Sequence, residues 1–78
     1  MAEIDQEKFF AAVRDAFEQA PTGLAMTSVL RDLDGWDSLT SVMLVAEIYT
    51  DYGVQVSGGE LESCHTLKDL MALVQRKL

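Results

Sequence analysis

Apolar positions recur at helical spacing in three stretches of the chain. In the first, Phe9, Phe10, Val13, Ala16 and Phe17 fall at i, i+1, i+4, i+7 and i+8, one stripe of a helix. Asp5 is the expected N-cap, and Ile4 and Phe9 then take the N′ and N4 positions of a hydrophobic staple. The helix should stop at "APTG", because Pro21 and Gly23 do not extend a helix comfortably. In the last stretch, Leu67, Leu70, Met71 and Val74 line a helix over residues 67–77. Thr66 and Asp69 stand at capping-box spacing at its start, and Arg76 and Lys77 suit the dipole at its end. Ser57 and Glu60 repeat the capping-box spacing, which predicts a short helix around residues 60–63.

The middle stretch, "DGWDSLTSVMLVAEIYTDYG", predicts a helix capped by Asp37 or Ser38, running to about Tyr52, with Gly53 as its C′ residue. At about 100° per residue, Val42, Leu44, Val45, Ile48, Tyr49 and Tyr52 fill one arc broad enough to face a core. Leu39, Met43 and Ala46 lie beyond its edge, and only Thr40, Glu47, Thr50 and Asp51 remain as a polar sector. This is more apolar surface than one buried stripe requires. Either the preceding loop covers Leu39 and Met43, or they form an apolar patch beside Ser38 that meets partners.

Residues 24–36 connect the first two helices. "TSVLRDL" has room for a short helical turn, and Val29, Leu30 and Leu33 should pin the connector to the core. A connector of this length hints at function. "GVQV" alternates as a strand does, but it has no evident pairing partner and reads as extended loop. The expected fold is all-α: a small four-helix bundle of three longer helices and one short one, forming a single domain over residues 1–78.

Composition narrows the function. Six Lys and Arg against thirteen Asp and Glu give a formal charge of −7, which disfavours nucleic acid and favours a basic partner or solubility. No apolar run approaches the ~20 residues of a membrane span, and "MAEIDQEK" lacks the apolar core of a signal peptide. Cys64 is the single cysteine, so no intrachain disulfide forms; a reducing, cytoplasmic setting fits.

Ser38 is the candidate for chemistry. Its plain role is to help Asp37 cap the helix. Nucleophilic catalysis would need a nearby base, and the chain has one histidine, His65, and no G-x-S-x-G elbow. Cys64 and His65 are adjacent and point different ways, and one Cys with one His makes no zinc site; the scattered acids make no calcium loop. Intrinsic catalysis and a metal site are therefore set aside. A serine can instead receive a group. A phosphate on its oxygen would lie near unpaired N–H groups and the positive end of the helix dipole. Asp34 and Asp37 oppose an anion there and suit a magnesium-dependent modifying enzyme instead.

Together these residues resemble the acyl carrier protein family. The resemblance rests on "GWDSL" at the head of an apolar helix, followed by Tyr52, "GVQV", "GGELES" and "HTLKDLMALV", and it spans essentially the whole chain. It implies that a phosphopantetheinyl transferase attaches 4′-phosphopantetheine, taken from coenzyme A, covalently to Ser38. Asp37 matches the motif acid and Leu39 the motif leucine. The arm's thiol would hold an acyl group as a thioester and carry it between acyl-loading and acyl-processing enzymes, the tether raising its concentration at each. The second helix would be the recognition helix, with Leu39, Met43, Ala46 and Glu47 as its partner surface. The carrier itself would be a non-catalytic monomer.

The chain departs from carriers of fatty acid synthesis, whose second helix carries several acids. Here Met43 and Ala46 stand on the outer face with only Glu47 and Asp51 as acids, and "VQVSGG" lacks a proline. Trp36 is more typical of stand-alone or polyketide-type carriers, and "GWDSL" fits peptidyl carriers less well. The resemblance therefore points to a specialised pathway, with an aminoacyl group as the alternative cargo. Two other readings stay open: an unmodified helical adaptor that binds a partner through the second helix, and a sensor using Cys64 and His65.

Overall fold

A computed structural model describes residues 4–17, 19 and 21–78. The chain order is α1 (Gln6–Asp15), a 3₁₀ turn (Leu30–Asp32), α2 (Ser38–Tyr52), α3 (Gly58–Ser63) and α4 (Leu67–Lys77). Among the described residues there is no strand, and the architecture is a small helical bundle with three longer helices and one short one.

Local chemistry sets the helix boundaries. Asp5 caps α1 by accepting the Glu7 N–H at 3.0 Å. Ser57 and Glu60 close a reciprocal capping box on α3, at 3.1 and 3.0 Å, and Thr66 with Asp69 does the same for α4. Each pair satisfies two N–H groups that the first helical turn leaves free. Gly53 ends α2 with φ 68, the left-handed conformation glycine adopts without penalty, and its N–H donates to the Tyr49 carbonyl at 2.8 Å.

The sequence places Ala16 and Phe17 inside the first helix, but α1 stops at Asp15. The amides of Ala16 and Phe17 bond three residues back, to Val13 and Arg14, so the chain tightens as it leaves the helix. Both side chains still reach the core, and the Phe17 ring lies 6.2 Å from that of Trp36. Ala20, at the head of the expected "APTG" stop, lies outside the described residues, as do residues 1–3 and Glu18.

Phe9 and Val13 of α1, Leu44 and Ile48 of α2, Leu61 of α3, and Leu67, Leu70 and Val74 of α4 form one core cluster. Val54 and Val56 of "GVQV" are buried in it while Gln55 faces out, so the segment alternates without pairing as a strand. Leu30 and Leu33 pin the connector as expected, the first fully buried and the second packed against the core beside Leu24 and Trp36; Val29, expected with them, is only half-buried and does not join the core cluster. It is also stitched to the start of α4. Leu30 N–H donates to the His65 carbonyl, and the amides of Leu67 and Lys68 donate to the carbonyls of Ser28 and Met26, each at 3.0 Å. No residue pattern announces that junction. It fixes the far end of the connector, and so the direction from which the chain enters α2.

Candidate functional site

The site is the entry into α2. Asp37 takes an extended backbone and is the N-cap; its Oδ1 accepts the Thr40 N–H at 2.7 Å. That hydrogen bond is the main reason its carboxyl is held below the usual range of an aspartate. Ser38 is therefore not the cap. It is the first residue of the helix, it is exposed, and its hydroxyl makes no hydrogen bond to a described residue.

Thr40 corrects the expected orientation of the helix. The wheel places it in the polar sector, yet it is buried. Its hydroxyl donates to the Gly35 carbonyl at 3.0 Å, which satisfies the polar group and leaves the methyl free to face inward. Thr40, Leu44 and Ile48 then form the buried line of α2. The helix is turned accordingly, and Val42 and Tyr49, expected in the core, are exposed.

Leu39 is 69% exposed and Met43 46%, so the preceding loop does not cover them. Ala46 is exposed on the same side. Glu47 is half-buried, and burial, with the charges of Asp51 and Asp15, raises its carboxyl above the ordinary range. The structure thus brings Ser38, Asp37 and Leu39 together, lines up Met43 and Ala46 behind Leu39, and sets Glu47 apart toward α1.

Two hollows flank this helix start. One, of about 490 Å³, has Ser38 in its wall together with Trp36, Ser41, Leu61, Cys64 and Arg31. The other, of about 770 Å³, includes Phe17, Pro21, Asp34, Leu39 and Met43. Sequence reasoning missed the first hollow, because its walls come from three separate segments. It also missed Arg31, whose Nη2 donates to the Glu62 carbonyl at 3.0 Å and ties the connector to α3.

Cys64 and His65 do not form a joint site. Cys64 is buried and its thiol is pushed up by that burial, whereas His65 is exposed. Among the described residues no three His, Cys, Asp or Glu side chains are grouped to hold a metal ion, and no helix is long and apolar enough to cross a membrane.

The comparisons with known proteins agree with this geometry. The family model described as a phosphopantetheine attachment site matches residues 7–74. The chain is also similar to the solution structure of a holo acyl carrier protein from Geobacter metallireducens, with 27% sequence identity and a TM-score of 0.75. That likeness covers 91% of this chain and 82% of the other. An apolar helix that starts at an exposed serine, in a bundle of this order, thus finds its place: the chain belongs to the acyl carrier family defined by the phosphopantetheine attachment site.

Proposed function

We propose that Ser38 carries a covalent 4′-phosphopantetheine arm and that the protein, as a single non-catalytic domain, delivers acyl groups to partner enzymes. The observation that carries this reading is the division of labour at the head of α2. Asp37 does the capping, which leaves the Ser38 hydroxyl exposed and without a hydrogen bond to any described residue.

The residues present suit the group. The arm's phosphate would sit at a helix N-terminus, where the dipole favours an anion and partly offsets the neighbouring Asp37 carboxylate, which opposes one. The adjoining hollow offers Trp36, Leu61 and Cys64 as apolar wall and Arg31 as a cation. When bound, the arm supplies a thiol that holds an acyl group as a thioester. During attachment Ser38 Oγ forms a bond to phosphorus, the pyrophosphate bond of coenzyme A breaks, 3′,5′-ADP leaves, and the hydroxyl proton passes to a base of the phosphopantetheinyl transferase.

Leu39, Met43, Ala46 and Glu47 are the residues we assign to partner contact. The exposure of the first three supports that assignment. The scarcity of acids on this helix supports a specialised, polyketide-like or stand-alone pathway over fatty acid synthesis. The lone, buried Cys64 supports a reducing, cytoplasmic setting, and the charge of −7 supports a monomer. The exposed apolar face also favours a second reading, an adaptor without an arm. Incubation with coenzyme A, magnesium and a broad-specificity transferase separates the two, because only the carrier gains mass at Ser38.

A further inference from the structure

An arm on Ser38 would add an anion to a wall that already holds two. The hollow beside Ser38, of about 490 Å³, has Asp37 and Glu62 in its lining. α2 has no Lys or Arg to answer a phosphodiester at its first residue. Of the six basic residues in the chain, Arg31 alone lines this hollow. Lys77 is paired with Glu60 at 2.9 Å, and Lys8 lies over the Tyr52 ring at 5.4 Å.

Arg31 is held in that wall without an anion of its own. It belongs to the 3₁₀ turn of the connector, and its Nη2 donates to the main-chain carbonyl of Glu62 at 3.0 Å. The bond ties the turn to α3 and anchors the guanidinium, yet it leaves most of the five N–H donors of an arginine unused. The contact is to the carbonyl and not to the carboxylate, and no described residue forms an ion pair with Arg31. An uncompensated cation is unexpected in a chain with a net charge of −7. Two other polar groups of the hollow are occupied within the protein: the Ser41 hydroxyl donates to the Ser38 carbonyl at 2.8 Å, and the Cys64 thiol to the Glu60 carbonyl at 3.4 Å. A planar guanidinium fork is the side chain best matched to phosphate oxygens.

We infer that Arg31 is a positioning residue for the prosthetic arm: its guanidinium pairs with the phosphodiester on Ser38 and fixes the base of the arm on the side of α2 that faces the connector and α3. This deepens the carrier reading above and rests on it. Arg31 is exposed, so the pair is solvated, modest in strength and sensitive to salt.

The test isolates the effect of the arm from that of the substitution. Wild type, Arg31→Gln and Arg31→Lys are each prepared without the arm and with it. The arm carries a free thiol, so the phosphodiester is its one anion. Loss of the tie to Glu62 lowers the Tm of both forms and cancels in their difference, whereas loss of a phosphate contact does not. In low salt, the change in Tm on arm attachment should be about 2–6 °C less favourable in Arg31→Gln than in wild type. Arg31→Lys should recover part of that gap, and about 0.5 M sodium chloride should remove most of it. Equal changes in wild type and Arg31→Gln, or a gap that salt leaves intact, would overturn the inference. A second reading uses the wild type alone and serves if Arg31→Gln does not fold: the Arg31 Nε–Hε resonance should shift on arm attachment, while those of Arg14 and Arg76 stay in place. An Arg31 resonance that does not move would also overturn the inference. Failure of the wild type to accept the arm would instead overturn the carrier reading, and this inference with it.

Discussion

Asp37 and Thr40 lock the start of α2 as a pair: the Asp37 carboxylate accepts the Thr40 amide at 2.7 Å, while the Thr40 hydroxyl reaches back to Gly35 at 3.0 Å. The two bonds fix the turn just before Ser38 from both sides. The first of them, from the Thr40 amide, is also the main reason that the Asp37 carboxyl is held below its ordinary value of 3.8. A carboxylate whose pKa is depressed by folding stabilises the fold above its unfolded value and loses that contribution as pH falls through the folded value. Glu60 is lowered by the Ser57 amide first, and Asp69 by the Thr66 amide. Thermal stability should therefore be level in this respect above about pH 5 and fall steadily below about pH 4. Asp37→Asn should weaken that acid dependence, as read from Tm against pH.

Glu47 should act with the opposite sign. Its carboxyl is raised, mainly by burial and then by Asp51 and Asp15, so its ionisation opposes folding at neutral pH. That cost is relieved as pH falls through the raised value, and it vanishes below the ordinary 4.5. Glu47→Gln should raise Tm at pH 7, and the gain should disappear in acid. A Tm that falls at pH 7 would contradict this account.

Gly35 has φ 85, and a Cβ there would sit 3.6 Å from Phe17 Cδ2, an ordinary contact. The cost of Gly35→Ala is thus backbone strain without a clash, about 1–2 kcal/mol. A domain of this size loses about 4–8 °C of Tm per kcal/mol. Calorimetry on the alanine variant checks this, and an unchanged Tm would show that the turn tolerates a side chain.

Cys64 is buried, its thiol is pushed up by that burial, and its Sγ donates to the Glu60 carbonyl at 3.4 Å. It should resist alkylation by iodoacetamide in the native state and react on unfolding. Rapid native-state labelling would revive the sensor reading.

Where a local rule decides the structure, the sequence is legible. The capping pairs Ser57–Glu60 and Thr66–Asp69, the Gly53 stop and the extent of α4 follow from chemistry within a few residues. The orientation of α2 does not. Thr40 reads as polar on a wheel, and only the Gly35 carbonyl, placed by the turn, makes its burial possible. With Thr40, Leu44 and Ile48 taking the core side, Val42 and Tyr49 face the solvent, an outcome the wheel leaves open because the helix is apolar nearly all round. The line Thr40, Leu44, Ile48 at i, i+4, i+8 was a signal for the correct face. For the site, "GWDSL" marks Ser38, Asp37 and Leu39 at once. The hollow beside Ser38 stays hidden, because Arg31, Trp36 and Leu61 meet only through tertiary packing.

The most direct test of the central claim is intact mass after incubation with coenzyme A, magnesium and a broad-specificity phosphopantetheinyl transferase, with Ser38→Ala alongside. The alanine variant should fold normally, because Asp37 holds the cap and the Ser38 hydroxyl bonds to no described residue. The wild type should gain the mass of one 4′-phosphopantetheine group, and the variant should gain none. A wild type that stays unmodified, or an alanine variant that is modified equally, would contradict the assignment of Ser38 as the attachment site.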